Sequence, residues 1–204
     1  GDRYRETVRV SPTKWPMVTL GDVCSFMTGG TPTSSIKEYY ENGTIPWLVS
    51  GDIHQGELFD CDGRITELGM RSSNAKTLPK DSVLIALNGQ GKTRGTVALL
   101  RMFNATCNQS IVSMNPLSTD QLLSDFLFHV LRAMYVDIRA LAGDIQRSGL
   151  NIPMLKTIST PLPPLEIQRQ IVAELEGYRK VIEGARQVLA NYKPTIKIDH
   201  MWPR

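Results

Sequence analysis

"PLPPLEIQRQIVAELEGYRKVIEGARQVLANY", residues 161–192, is the stretch that decides the architecture of this 204-residue chain. Its opening residues are rich in proline, which makes a stiff connector. The segment that follows carries apolar residues at alternating spacings of four and three: Ile171, Leu175, Tyr178, Ile182, Ala185, Leu189 and Tyr192. This heptad pattern predicts a single helix of about 28 residues, about 40 Å long.

An apolar stripe of this length needs a partner helix. The helix could instead fold back on its own domain, but the proline-rich hinge favours projection away from it. We predict a second helix of the same kind as partner, in the same chain or by dimerisation. Its contacts are predicted at Ile171, Leu175, Tyr178, Ile182, Ala185 and Leu189. Gln168 stands where the pattern asks for an apolar residue, so close packing is predicted to begin at Ile171.

The chain before the hinge has the pattern of an α+β domain with a mixed, turn-rich β-sheet and packed helices. Short apolar runs bounded by turn residues predict strands at Val18–Leu20, Ile45–Val49, Ser82–Leu87, Thr96–Leu100 and Ile111–Met114. From Ser118 the apolar spacing becomes helical, with Ser118 and Gln121 as a capping box and Gly143 as the end. We therefore predict a globular domain over residues 15–160 and a hinge with one long projecting, coiled-coil-type helix over 161–193.

The two ends of the chain resemble each other. "YRETVRVSPTKWP", residues 4–16, and "YKPTIKIDHMWP", residues 192–203, share a tyrosine, a threonine, branched apolar residues and a Trp-Pro pair in the same order. We interpret this as an internal repeat that begins again near Trp202, with chance similarity as the alternative. Residues 1–14 are then a linker or the tail of a preceding segment, and 194–204 a linker into a second repeat.

Composition excludes several classes of protein. The three cysteines and three histidines are scattered, so neither a metal site nor a disulfide framework is expected, and no cofactor is predicted. Reduced cysteines fit a cytoplasmic protein, and no apolar run is long enough to cross a bilayer. The net charge of +3 is only mildly basic. It hides an acidic stretch, residues 38–67, followed by a basic one, residues 71–101, which hints at an anionic partner.

The stretch "ALNGQGKTRG", residues 86–95, resembles a phosphate-binding loop but departs from it. Ala86 stands where such a loop needs its first glycine, and the residues after it favour a strand rather than a helix. We predict a glycine-rich turn that presents polar side chains suited to base edges and phosphates: Asn88, Gln90, Lys92, Thr93 and Arg94. A second polar, basic loop is predicted to join it, with Arg71, Ser73, Asn74 and Lys76.

Taken in order, several motifs resemble one half of the specificity subunit of Type I restriction–modification enzymes. They are "KWPMVTLGDV", "GGTPTS", "IPWLVSGDI", "LPKDSVLIALNGQGKTRGTVAL", "CNQSIVSMNP" and "SGLNIPMLKTISTPLPPLEIQRQIV", followed by the heptad helix. The resemblance runs from Trp15 to Tyr192, and "PLPPLEIQRQIV" is its most specific part.

The resemblance implies a non-catalytic target recognition domain followed by a spacer helix. In such subunits two recognition domains each read a few base pairs of double-stranded DNA, and two antiparallel spacer helices set the distance between the half-sites. Methyltransferase subunits that methylate adenine at N6 dock on them, and a motor/nuclease subunit can join. The chain itself lacks the Asn/Asp-Pro-Pro-Tyr motif of amino-methyltransferases. A protein-interaction scaffold built on the heptad helix, or the recognition part of a fused methyltransferase–specificity enzyme, remain alternatives.

Overall fold

The computed structural model describes residues 15–89, 91–143 and 149–192. Its strands are β1 (Met17–Thr19), β2 (Cys24–Thr28), β3 (Ile45–Leu48), β4 (Glu57–Leu58), β5 (Arg64–Ile65), β6 (Val83–Ala86), β7 (Val97–Leu100), β8 (Thr106–Cys107), β9 (Ile111–Pro116) and β10 (Ser159–Pro161). Its helices are α1 (Leu20–Val23), α2 (Glu67–Arg71), α3 (Ser124–Ala133), α4 (Tyr135–Ala140), α5 (Ile152–Lys156) and α6 (Leu165–Asn191), with 3₁₀ turns at Lys37–Tyr39 and Asp52–Gln55.

A five-stranded sheet in the order β2-β9-β6-β7-β4 forms the centre of the domain. Its neighbours are antiparallel except β4, which runs parallel to β7. A three-stranded sheet, β5-β3-β8, and the pair β1-β10 complete the β structure. Strands β6 and β7 are buried along their whole length because alternate residues point into two hydrophobic clusters, one on each face of the sheet.

The prediction of an α+β domain with a mixed sheet is confirmed. All five predicted strands form, with ends that shift by one or two residues. The sequence patterns did not predict β2, β4, β5, β8 or β10, which are short or lie at sheet edges. The linker and repeat predictions for residues 1–14 and 194–204, including Trp202, lie outside the described residues.

The predicted helix after Ser118 begins later and is broken. The Ser118 hydroxyl accepts a hydrogen bond from the N–H of Asp120 at 3.3 Å, and its carbonyl accepts from Leu122, which closes a turn instead of capping a helix. The N–H of Leu123 bonds to the side chain of Gln168, so α3 begins only at Ser124. Met134 then separates α3 from α4, because its conformation lies outside the helical region.

The long helix is confirmed as α6, which has 27 residues. Its first turns dock on the domain at Gln168, whose side chain is fully buried. The Gln168 amide accepts from the N–H of Leu123 at 2.9 Å and donates to the carbonyls of Gln121 and Pro163 at 2.7 and 2.8 Å. The prediction that close packing with a partner helix begins at Ile171 stays a prediction. Within the domain, Gln168 makes the first anchor of α6, and Ile171 packs partly against the core.

A charged cluster holds the next part of α6. Arg101 contacts three carboxylates, those of Glu57, Asp81 and Asp125, at 3.0, 2.9 and 2.5 Å. Arg179 of α6 reaches the same Glu57 at 2.9 Å. Burial on its own lowers the pKa of Arg101, but the hydrogen bonds to the three carboxylates more than offset this and raise it. We call Arg101, Glu57, Asp81, Asp125 and Arg179 the helix clamp.

Beyond the clamp α6 projects from the domain. Every residue from 177 to 191 is exposed, so this part of the helix does not fold back on the domain. Within the described part of the chain, neither α6 nor another helix is long and apolar enough to cross a membrane.

Replacement of Gln168 by leucine is expected to lower the free energy of unfolding by about 2 kcal/mol, because it leaves one N–H and two carbonyls without their partner. Urea denaturation measures the change. The matched control is Gln170→Leu, an exposed position two residues along the same helix, where a change within about 0.5 kcal/mol is expected. Equal effects at both positions would contradict an anchoring role for Gln168.

Candidate nucleic-acid interface

The register of the central sheet gathers its loops at one end. Ala86, the last residue of β6, pairs with Ile111, the first of β9. The end of β2 lies beside them, because Thr28 pairs with Val112. Strand β7 begins at this end because it is antiparallel to β6, and the turn at residues 52–55 reaches the same end through the contact of His54 with Thr93. We call residues 29–31, 52–55, 87–89, 91–96 and 108–110 the loop edge.

The loops of this edge interlock through backbone contacts. The N–H of Gly30 donates to the carbonyl of Cys107 at 2.9 Å, and that of Leu87 donates to Ser110 at 2.8 Å. A β-carbon at Gly30 would lie 2.7 Å from the backbone nitrogen of Asn74, so the glycine lets the 71–75 loop pack directly on the edge. The two polar loops predicted from the sequence therefore lie on the same end of the domain.

The glycine loop is a turn between two antiparallel strands, as predicted. Residues 91–95 are turns and strand β7 follows, where a phosphate-binding loop would continue into a helix. Gly89, Gly91 and Gly95 have positive φ angles of 129°, 63° and 80°, which other residues rarely adopt. Asn88 and Lys92 are exposed.

Side chains from α4 and from the 52–55 turn brace the glycine loop. Tyr135 donates its hydroxyl to the carbonyl of Lys92 at 2.8 Å, and Arg139 donates to the carbonyl of Arg94 at 2.7 Å. His54 Nε2 lies 2.9 Å from the hydroxyl of Thr93. Thr93 and Arg94 are half-buried in this arrangement, so the loop is held in one shape and Lys92 points outward from it. The predicted contact at Gln90 lies outside the described residues.

The second predicted loop forms one wall of an open polar cleft of about 620 Å³. The residues that line it are Gly29, Gly30, Thr31, Arg71, Ser72, Ser73, Asn74 and Gln109. Arg71, Ser73 and Asn74 were predicted as contact residues, and Lys76 is exposed just beyond the lining. Thr31, Gln109 and His54 are not among the predicted contact residues. Thr31 and Gln109 lie in two of the motifs that carry the family resemblance, "GGTPTS" and "CNQSIVSMNP".

Within the part of the chain that the structure describes, Arg71, the cation of the cleft, makes only a loose ion pair. Arg71 is 3.9 Å from Glu67, and both side chains are largely exposed. The helix clamp lies at the opposite end of the sheet, where Asp81 precedes β6 and Arg101 follows β7. Among the described residues, no three His, Cys, Asp or Glu side chains come together as a metal site. The exposed Lys92 and the polar side chains of the loop edge, with Arg71 in the cleft, are suited to contacts with an anionic, hydrogen-bonding surface.

The predicted helix-partner residues lie on the projecting part of α6, with Ile171 as the exception. Leu175 is 37% exposed and Leu189 74% exposed, and Tyr178, Ile182 and Ala185 are exposed between them. Val181 and Val188, which the spacing of four and three does not include, are exposed as well. The apolar stripe is consequently wider than the predicted seam.

The chain belongs to the family described as the Type I restriction modification DNA specificity domain, whose sequence pattern matches residues 12–190. It is 27% identical over 162 residues to the Type I restriction enzyme EcoR124I/EcoR124II specificity subunit of Escherichia coli, across 78% of this chain and 40% of that protein. It is 24% identical over 190 residues to the Type I restriction enzyme MjaIX specificity subunit of Methanocaldococcus jannaschii, across 90% of this chain and 42% of that protein. The chain thus spans about two fifths of the length of these relatives.

Solved structures share the fold. A chain from a study of complex assembly and conformational transition in the type I R-M system aligns with a TM-score of 0.67 at 23% identity, over 88% of this chain and 42% of that one. The HsdS subunit from Thermoanaerobacter tengcongensis aligns with a TM-score of 0.65 at 23% identity, over 90% of this chain and 41% of that one. The arrangement of a mixed-sheet domain and a long C-terminal helix is common to them.

Proposed function

We propose that this chain recognises the base sequence of one half-site in double-stranded DNA for a Type I restriction–modification complex, without catalytic activity of its own. The observation that carries the proposal is the loop edge, where the sheet gathers Lys92, Arg94 and the Arg71 cleft at one end of the domain. Membership of the DNA specificity domain family supports the same function.

The side chains of the two polar loops fall into two groups, one that contacts phosphates and one that contacts base edges. Lys92 and Arg94 supply positive charge for phosphates, which sets affinity and register on the duplex. Asn88, Gln90, Ser73 and Asn74 supply donors and acceptors for base edges, and Thr93 and Lys76 extend the set. Tyr135, Arg139 and His54 hold the glycine loop by hydrogen bonds to its residues 92–94. The side chains of the loop that contact DNA are therefore already in place before binding.

The partners follow from the same proposal. Methyltransferase subunits that modify adenine at N6 dock on the complex, and a motor/nuclease subunit completes the restriction activity. The exposed stripe at Leu175, Tyr178, Ile182, Ala185 and Leu189 packs against a second spacer helix, in the same chain or in a dimer. Ile171 contributes at the start of that seam.

A protein-interaction scaffold is the second candidate function, and the width of the exposed apolar stripe is what favours it. The two candidates differ in their response to salt. A DNA-recognition module loses affinity steeply as salt rises, because phosphate contacts release counterions. A scaffold that binds protein through an apolar helix face does not.

Selection from a random duplex pool at low salt tests the proposed function. The wild-type chain is expected to enrich a short motif, and the double variant Lys92→Ala, Arg94→Ala is expected to bind that motif at least about tenfold more weakly. Its salt slope should fall by about two, one for each lost phosphate contact. The matched control is Lys180→Ala, Arg186→Ala, which removes the same charge from exposed positions on α6.

The results test the proposed function and the proposed contact residues separately. Equal losses of DNA affinity in the double variant and its control would mean that net charge, not the glycine loop, governs binding. Enrichment that survives in the double variant would keep the function and move the contacts to another loop. Binding without enrichment of any motif would contradict sequence recognition.

A further inference from the structure

We propose that the polar cleft on the loop edge is a guanine-reading subsite, in which the side chain of Gln109 presents its amide hydrogens to the base. This inference rests on the proposed function, because it names the base that one part of the interface reads. The cleft is separate from the glycine loop, and Gln109 and Thr31 were not among the contact residues predicted from the sequence.

The first step is the shape of the cleft. Gly30 and Asn74 face each other so closely that no side chain fits at position 30, and a β-carbon at Gly29 would overlap the carbonyl of Cys107. This close packing brings the 29–31 and 71–74 segments together around an open space of about 620 Å³, which Gln109 also lines. The lining consists of two glycines and polar side chains, so a base edge can approach it without meeting a large apolar side chain.

The second step is the orientation of Gln109. The hydroxyl of Thr31 donates to Oε1 of Gln109 at 2.5 Å. The Nε2 group of Gln109 has no hydrogen-bond partner within residues 15–89, 91–143 and 149–192. An amide is ordinarily ambiguous, since it can present its oxygen or its nitrogen. Here the bond from Thr31 fixes the orientation of the amide, with Oε1 turned toward residue 31 and the two Nε2 hydrogens left to donate to a ligand.

The third step is the positive charge in the same cleft. Arg71 lines it together with Gln109, is largely exposed, and carries five N–H donors. Donors from Arg71 and Gln109 in one cleft fit a base edge with two neighbouring acceptors. In the major groove guanine offers N7 and O6, whereas adenine places an N6 donor beside N7. The amide hydrogens of Gln109 would meet that donor, so adenine is disfavoured.

The test is a binding panel of duplexes that contains the motif selected by the wild-type chain and every single base-pair change of it. A second set carries 7-deazaguanine, which lacks the N7 acceptor, at each guanine. Four proteins are compared with the wild type: Gln109→Met, Thr31→Val, Arg71→Ala and the control Thr33→Val. Residues 31, 33, 71 and 109 are exposed, so the fold is expected to tolerate these changes, and thermal unfolding checks it.

At one base pair of the motif the wild type is expected to prefer guanine by about tenfold. Gln109→Met is expected to abolish that preference and to leave the preferences at the other base pairs unchanged. Arg71→Ala should weaken the same preference. Thr31→Val frees the amide to turn, so its discrimination between guanine and adenine at this position should fall, and Thr33→Val should change nothing. The 7-deazaguanine substitution should weaken the wild type but not Gln109→Met.

Two results would overturn the subsite. If Gln109→Met and Arg71→Ala weaken every duplex equally, the cleft holds a phosphate and reads no base. If all guanine preferences survive in Gln109→Met, the cleft makes no contact with the duplex. A wild-type chain that binds all duplexes alike would refute the proposed function itself, which is a different result from either of these.

Discussion

Replacement of Arg101 by methionine is expected to lower the free energy of unfolding by about 3 kcal/mol. Arg101 lies within 3.0 Å of the carboxylates of Glu57, Asp81 and Asp125, and its side chain is only 23% exposed. Methionine fills a similar volume but leaves three negative charges close together in a partly buried place. Arg179 compensates Glu57 alone, so most of the repulsion remains. Urea denaturation followed by circular dichroism measures the loss.

Arg169→Met is the matched control for this experiment. Arg169 is 60% exposed on α6 and lies 3.8 Å from Glu166, so its loss is expected to cost at most about 0.5 kcal/mol. If the two variants are equally stable, the contacts of Arg101 are as weak as those of an ordinary surface pair. A triple variant that also removes Asp81 and Asp125 as Asn should recover part of the stability, because it removes the repulsion that Arg101 normally cancels.

The variant Gly29→Ala is expected to lose more than about 3 kcal/mol of stability, or to fail to fold. Its β-carbon would overlap the backbone carbonyl of Cys107, and backbone cannot move aside as a flexible side chain can. The strain falls on the contact between the end of β2 and the end of β8, so the loop edge should lose its arrangement as well. Thermal unfolding and DNA affinity measure the two effects.

Gly51→Ala is the control for this variant. Gly51 has a φ of −66° and no atom within 4 Å of an added β-carbon. Alanine is therefore expected to be neutral there, or to stabilise by up to about 1 kcal/mol through the unfolded chain. If Gly29→Ala proves as stable as Gly51→Ala, the close approach of Gly29 to Cys107 is not required by the fold.

The parts of the fold that the sequence predicts are those whose signals are local. Strands β6 and β7 are continuous apolar runs between turn residues, and α6 repeats its apolar spacing over most of its length. Strand β2, "CSFMT", has no such signal, because it is an edge strand whose partner β9 lies about 90 residues further along the chain. Its pairing is decided by tertiary contacts.

The late start of α3 has the same physical origin. Ser118 and Gln121 form a local capping pattern, but the side chain of Gln168, which is 45 residues from Leu123, takes the N–H that a longer helix would use. A contact between distant residues thus overrides a local preference. In the sequence Gln168 is only a gap in the heptad pattern, because the sequence does not reveal which backbone atoms its side chain contacts.

The candidate interface likewise has a part that local sequence signals predict and a part that depends on contacts between distant residues. Asn88, Lys92 and Arg94 are visible in the sequence because glycines mark their loop as a turn. The brace from His54, the cleft and the Thr31–Gln109 contact are not visible, since they join residues 39 and 78 positions apart. Sequence patterns therefore identify the loop, and the structure identifies what holds it and what lies beside it.

Lys92 and Gln109 are separated from Arg101 by the length of the strands between them, about 13 Å for a four-residue strand. Substitutions at sites this far apart are usually additive. A lineage can therefore change the residues around Lys92 or Gln109 without disturbing Arg101 and its carboxylates. Mutation and selection can therefore alter the base preference and the direction of α6 one at a time. A change in base preference needs no compensating change in the helix clamp.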